Sequence, residues 1–201
     1  MKKNKTFNDS NPLRFLTSAP DRSSLPFDYG KEVAFTGRSN VGKSSVINIL
    51  NKKKIALTSK IPGRTKFINL FEIQDGKRLV DLPGYGYSKT LENKKSKFYW
   101  EKIIKEYICY RNSLKGLVLL IDIRQLLKDF DYQIIKISIY KKIPLVILIN
   151  KIDKLSYNSS KYQINKFYNI ISTSSVQFIP FSSLKKIGLN RLKNIIEYWL
   201  S

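Results

Sequence analysis

Residues Gly37 to Ser44 read GRSNVGKS and match the pattern GxxxxGK[ST]. Glycines at the first and sixth positions let the backbone curl so that its N–H groups face an anion. A helix starting at the lysine offers its positive N-terminal dipole to the same anion. Lys43 is placed to bridge terminal phosphates, and the Ser44 hydroxyl to ligate magnesium. Arg38, Ser39, Asn40 and Val41 line the loop, and Ser45 follows in the helix. A Gly-containing strand-to-helix turn that binds nothing is the bland alternative, and it leaves the full set of fixed positions unexplained.

The second chemical motif is Asn150-Lys151-Ile152-Asp153, which follows the apolar run PLVILI. A carboxylate accepts from both N–H donors on the Watson–Crick edge of guanine. Adenine offers a donor and an acceptor there, and the mismatch would leave a buried charge facing an acceptor. Asp153 is therefore the expected base reader. Asn150 would reach the guanine edge and tie this loop to the phosphate loop, and the Lys151 stem would cover the base plane.

Two further segments could sense a γ-phosphate. Asp81-Leu82-Pro83-Gly84 ends a strand, so Asp81 would hold magnesium through water and the Gly84 N–H would meet the phosphate. Gly63-Arg64-Thr65 lies in a polar loop, and the Thr65 hydroxyl would complete the magnesium shell. Segments ordered by a γ-phosphate and released on its loss form a switch. Ser182, Ser183 and Leu184 follow the last strand, where a backbone N–H can touch guanine.

These loops need a scaffold. Short apolar strands are expected at 32–36, 67–73, 78–81, 116–123, 144–150 and 176–180. Helices are expected at 43–50, 97–110, 129–141, 159–171 and 188–200. In the helix at 129–141, Phe130, Ile134, Ile137 and Ile139 fall mostly on one side. Apolar strands alternating with helices predict a three-layer α/β fold of the P-loop NTPase type, a mostly parallel sheet with helices on both faces. Residues 1–29 are polar and broken by Pro12, Pro20 and Pro26, so they read as an extension with Phe15 and Leu16 docking on a domain at 30–201.

The 201 residues suit one domain with its own core. There is no His, which removes His-based triads, HExxH zinc sites and imidazole shuttles. One Cys, Cys109, leaves no intrachain disulfide and no thiolate cage, and fits a reducing compartment. No apolar run reaches the roughly 20 residues of a membrane span, and the basic start lacks the apolar segment of a signal peptide. The expectation is a cytoplasmic protein with no membrane association. The net charge of +22 points to polyanionic partners. A second origin for it stands beside selection for RNA, because 29 Lys, 26 Ile and 15 Asn against 8 Arg also fit an AT-rich genome.

The segments GRSNVGKSS, PGRT followed by INLF, DLPGYGY, IDIRQLLKDFD and FSSLKKIG occur in this order. Together they resemble the EngB (YihA/YsxC) family of bacterial ribosome-biogenesis GTPases, within the translation-factor-related branch of Ras-like G domains. The similarity runs from about Phe15 to the C-terminus. The resemblance implies binding of GTP and GDP with Mg2+, and action on the large ribosomal subunit through rRNA and ribosomal proteins. It also implies a role in cell division and septation, and a monomer when off the ribosome. Two positions depart from the family pattern: Asn150 stands where Thr is usual, and Gln125-Leu126 where His-Pro is frequent.

Tyr85 occupies the position after Gly84 where Ras-like enzymes carry a water-orienting Gln. A phenol cannot accept from and donate to water in the same way, so hydrolysis is expected to be slow, about 10⁻⁴ per second. The missing charge could come from K+ held by Asn40 or from the ribosome; Asn40 otherwise makes local backbone hydrogen bonds. Arg64 is either an arginine finger in cis or a contact to phosphate or rRNA.

A basic surface is expected from Lys52, Lys53 and Lys54, from Lys89, Lys94, Lys95 and Lys97, and from Lys185 and Lys186. Tyr85, Tyr87, Phe98, Tyr99 and Trp100 would supply aromatics beside the switch. Helix packing is the competing role for Phe98 and Trp100. The competing functions are a module that binds RNA or ribosomes and uses GTP as a structural ligand, and a small-molecule phosphotransferase, which NKID argues against.

Overall fold

A computed structural model describes residues 12–51, 55–56, 67–74, 76–86, 91–171 and 176–201, with side chains between 91 and 97 excepted. The element order is β1 (Arg14–Ala19), β2 (Lys31–Gly37), α1 (Lys43–Asn51), β3 (Ile68–Gln74), β4 (Lys77–Asp81), α2 (Leu91–Tyr110), β5 (Leu114–Asp122), α3 (Asp129–Tyr140), β6 (Leu145–Asn150), a 3₁₀ turn (Ile152–Lys154), α4 (Tyr157–Ile170), β7 (Val176–Pro180) and α5 (Leu189–Leu200).

The strands form one sheet in the order β1-β3-β4-β2-β5-β6-β7. From β4 to β7 every pairing is parallel, whereas β3 pairs antiparallel with β4 and with β1. The central strands β2, β5 and β6 are buried nearly throughout, as a sheet covered on both faces requires. One core packs α2, α3 and α4 on one face, around Ile104, Ile134 and Phe167. The other packs α1 and α5 on the opposite face, around Ile47 and Ile196. Within α3 the buried apolar residues are Phe130, Ile134 and Ile135, with Ile137 partly buried against the same core, while Ile139 is exposed and falls outside the expected stripe.

The expected extension contributes to the sheet. Residues 14–19 form the antiparallel edge strand β1, and Phe15 meets Phe71 edge to face, although Phe15 itself stays half exposed. The polar, Pro-broken stretch around it hid this strand, because an edge strand at the rim needs little apolar surface. The following residues are fastened at the amino end of the sheet. There Glu32, fully buried at the start of β2, accepts from Arg78 Nη1 at 3.2 Å, Arg111 Nε at 2.9 Å, Arg111 Nη2 at 2.7 Å and the Tyr107 hydroxyl at 2.7 Å. Arg111 also donates to the Pro26 carbonyl, Arg78 to the Tyr29 carbonyl, and Asp28 accepts from the Asn112 and Ser113 amides.

On the α5 side, Gly116 of β5 lies directly under the Trp199 indole, so that a Cβ at 116 would overlap the ring.

Candidate nucleotide site

The site forms at the carboxyl ends of β2, β4, β5, β6 and β7, where an open parallel sheet places ligands. The phosphate loop leaves β2 at Gly37 and enters α1 at Lys43. Gly42 has φ +106°, and a Cβ there would lie 2.6 Å from Asn150 Nδ2, so the backbone path excludes a side chain. Asn40 also lies in the left-handed region, at φ 63°.

Lys43 is buried, and its Nζ reaches the Gly37 carbonyl at 3.5 Å. Burial pushes its ammonium down, with the Asp81 charge opposing. Burial likewise pushes the Asp81 carboxyl up, against Lys43 and a hydrogen bond from Ser44. Ser44 Oγ donates to Asp81 Oδ2 at 3.0 Å, whereas Asp81 Oδ1 is buried with no hydrogen-bond partner. A hydroxyl and a half-satisfied carboxylate fit a hard divalent cation that takes its other ligands from phosphate and water. The described residues hold no cluster of three acids, His or Cys, so a cation here would depend on the nucleotide's oxygens. Leu82 continues the strand by donating its amide to the Phe35 carbonyl, and Pro83 is buried. Gly84 packs on Ser39 and Lys43, where an added Cβ would lie 3.2 Å from Lys43 Nζ. Gly63, Arg64 and Thr65 lie outside the described residues, as do Lys52, Lys53, Lys54, Lys89 and Tyr87, and the side chains of Lys94, Lys95 and Lys97.

The base loop is joined to the phosphate loop. Asn150 Nδ2 donates to the Val41 carbonyl at 2.8 Å, and Lys151 Nζ donates to the Asn40 carbonyl at 2.7 Å. Lys151 sits at φ 64°, which turns Ile152 and Asp153 back over the sheet end. The Ile152 amide donates to Phe181, and Asp153 Oδ1 accepts from Ser182 Oγ at 2.6 Å. Ser182 Oγ also accepts from the Lys185 amide, so one hydroxyl fastens the segment 182–185 to the Asp153 carboxylate. Ser183 Oγ is buried without a partner, and Leu184 is exposed.

Three residues of this region were not singled out as site groups from the sequence. Asp122, at the end of β5, holds Lys151 Nζ at 3.0 Å and Arg124 through two hydrogen bonds. Burial would raise its carboxyl, but the Arg124 and Lys151 hydrogen bonds bring it down to about 2. The available signal was a carboxylate ending an otherwise apolar strand. Gln125, noted only as a departure from the family pattern, accepts from Arg38 Nη1 and so holds a phosphate-loop side chain. Asp131, a carboxylate on the apolar side of α3, accepts from the Tyr85 hydroxyl and the Lys128 amide.

That last contact corrects one expectation. Tyr85 is 2% exposed, stacks edge to face on Phe130 and cannot serve an RNA-contacting surface. Burial and the neighbouring Asp131 carboxylate raise its phenol well above the ordinary value. Its backbone carbonyl accepts from the Ser39 amide at 2.9 Å, so the segment after Gly84 is tied to the phosphate loop. Of the other aromatics, Phe98 is 70% exposed and Tyr99 47%, whereas Trp100 packs partly against the core.

Comparison with known proteins agrees with this geometry. Residues 32–151 match the family model of the 50S ribosome-binding GTPases. The chain is 49% identical over 191 residues to the probable GTP-binding protein EngB of Pectobacterium carotovorum, covering 94% of this chain and 90% of the relative. It is 50% identical to the protein of the same description in Escherichia coli O139:H28, covering 93% and 90%. Among solved structures, a probable GTP-binding protein EngB superposes with a TM-score of 0.67 at 26% identity, over 84% of this chain and 98% of that one. Era in complex with MgGDPNP and nucleotides of 16S ribosomal RNA shares the fold, with a TM-score of 0.64 at 22% identity over 86% of this chain and 57% of that one.

Proposed function

The chain belongs to the EngB family of GTP-binding proteins, and from that premise we propose a slow GTPase that works as a nucleotide-controlled switch in large ribosomal subunit assembly. The observation that carries the reading is the junction of Asn150 with Val41 and Lys151 with Asn40. It joins the loop that carries Asp153 to the loop that carries Lys43, as a guanine-reading carboxylate and a phosphate-binding lysine serving one nucleotide would require.

In this reading Gly37 to Ser45 cradle the phosphates, and Lys43 lies against the β- and γ-phosphate oxygens. Asp153, oriented by Ser182, accepts from guanine, and the segment 182–184 closes over the base edge. Ser44, Asp81 through water, and Thr65 would hold Mg2+, which when bound would supply positive charge against the phosphates. Gly84 reports the γ-phosphate. Tyr85 is committed to Asp131 and supplies no water-orienting amide, which accounts for a low intrinsic rate. K+ at Asn40 or the ribosomal partner would supply the missing charge. Equal rates in K+ and Na+, unchanged in Asn40→Ala, would remove the ion. The protein would act in the cytoplasm, monomeric off the ribosome, with rRNA and ribosomal proteins as partners and cell division dependent on it.

The test is co-sedimentation with large ribosomal subunits in a non-hydrolysable GTP analogue, GDP, or no nucleotide. Binding favoured by the GTP analogue supports the switch; equal binding in all states, or none, defeats it. The burial of Tyr85 also favours a second reading, a ribosome-binding module stabilised by GTP with negligible turnover. Turnover that stays negligible with subunits present would select it.

A further inference from the structure

From Lys154 through Ile196 the chain carries seven Lys and Arg and no Asp or Glu. All fifteen acids lie elsewhere. A compositional drift toward Lys acts along the whole sequence and does not by itself clear one stretch of carboxylates. Within this stretch, α4 turns Phe167 and Ile164 onto the core shared with α2 and α3. Clear of that core, Tyr162 and Lys166 stand on the opposite side, and Tyr157 and Lys161 on the flank at the start of the helix; each pair is spaced one helical turn apart, and all four are exposed. Tyr157 is 78% exposed and Tyr162 60%, and the Lys166 ammonium lies 4.5 Å from the centre of the Tyr162 ring. Lys185 and Lys186, both exposed, lie in the segment that Ser182 fastens to Asp153, which stands shortly before α4 begins.

Phenol rings open to solvent between ammonium groups, with no carboxylate on the element, match an unpaired polynucleotide. Its bases stack on the rings while its phosphates meet the lysines. A duplex hides its bases, and a lipid surface would call for an apolar wedge that this face lacks. The place in the sheet matters as well. Helix α4 connects β6 to β7 at one edge of the sheet, whereas Asp81 and Gly84, the proposed γ-phosphate sensors among the described residues, follow β4 on the far side of β2 and β5.

We propose that the outer face of α4 docks an unpaired segment of RNA, and that it does so equally in the GTP and GDP states. The proposal rests on the reading that RNA is this protein's partner, and it adds a contact that the switch does not control.

The experiment measures fluorescence anisotropy of an unstructured 12-nucleotide RNA against the GDP-bound, full-length protein across a salt series. The variant Tyr157→Ala with Tyr162→Ala should bind about tenfold more weakly or worse. The control, Tyr140→Ala with Tyr198→Ala, removes two equally exposed rings from α3 and α5 and should bind as the parent does. Lys161→Ala with Lys166→Ala should lower the slope of log affinity against log salt by about 1 to 2. Retained GDP affinity shows that each variant is folded. The GTP analogue should leave every value unchanged. Equal losses in both tyrosine pairs, equal affinity for a duplex of the same sequence, or a loss seen only on vesicles of phosphatidylserine and phosphatidylcholine would overturn the proposal. Sedimentation with large subunits separates the two failures. If the parent does not pellet, the functional reading fails; if it pellets and the RNA values do not move with Tyr157 and Tyr162, only the α4 assignment fails.

Discussion

Two buried carboxylates stand at opposite ends of the same sheet, and they are treated in opposite ways. Glu32 opens β2 and receives hydrogen bonds from Arg78, Arg111 and Tyr107. Burial alone would raise its carboxyl, but Arg111, Tyr107 and Arg78 together hold it below the usual range. Asp81 closes β4, has one oxygen without a partner, and is raised by the same burial because Lys43 and Ser44 compensate too little. The amino end is saturated by the protein's own groups. At the carboxyl end a buried carboxylate oxygen finds no partner among the protein's own groups, which suits the nucleotide and cation proposed for this site. Stability is concentrated at one end of the strands, and binding capacity at the other.

The largest change should follow from breaking the saturated end. Glu32→Ala strands two buried guanidinium groups, and urea unfolding should register a loss of about 3–5 kcal/mol. GDP affinity of the remaining folded protein should be unaltered. A loss below about 1 kcal/mol would mean that the two ends do not differ as described.

Tyr85→Phe comes next. It removes the donor to Asp131 but keeps the ring on Phe130, so the expected cost is about 1–3 kcal/mol. Because the hydroxyl ties the segment after Gly84 to α3 through Asp131, the GTP-to-GDP affinity ratio should change in this variant and not in Glu32→Ala.

Asp81→Asn tests the unsaturated end, and its effect on stability should have the other sign. Removing a poorly compensated buried charge should stabilise the nucleotide-free protein by about 1 kcal/mol, as active-site substitutions often do. Magnesium should then no longer improve nucleotide affinity. A clear destabilisation of the nucleotide-free form would contradict the contrast.

The smallest effect is in pH. Glu32 is lowered on folding, so its contribution is fully present above about pH 4.5 and is lost as pH falls through the folded value. Asp122 behaves likewise down to about 2. Asp81 is raised, so acid relieves it and stabilises the fold. Between about pH 5 and 3 the parent should lose stability with a shallow slope. Asp81→Asn should steepen that slope, and Glu32→Gln should flatten it.

How legible each end was in the sequence follows from the same contrast. The phosphate loop, the base loop and Asp81 announce themselves because their chemistry needs fixed residue types at fixed spacings in one short run. Apart from β1, the strands and helices follow from apolar periodicity within about two residues at their ends, except that α2 begins at Leu91, six residues before the expected start. The saturated end was silent. Glu32 meets Arg78 and Arg111 across 46 and 79 residues, and no local pattern marks partners brought together only by strand pairing. Strand β1 was missed for a related reason, since its partner β3 lies about 50 residues on and only half of its own residues are apolar. Tyr85 was read in its local motif, and Asp131, which decides where the phenol points, comes from another element.

The contact between Gly116 and Trp199 has a consequence on a different timescale. The ring fills the space that any side chain at 116 would need, so position 116 cannot gain one while the indole stays. A lineage that acquires Ala at 116 must first, or together with it, give up the indole at 199. An alignment of relatives should therefore show the large ring at 199 only in chains that keep glycine at 116, a record of packing written in descent.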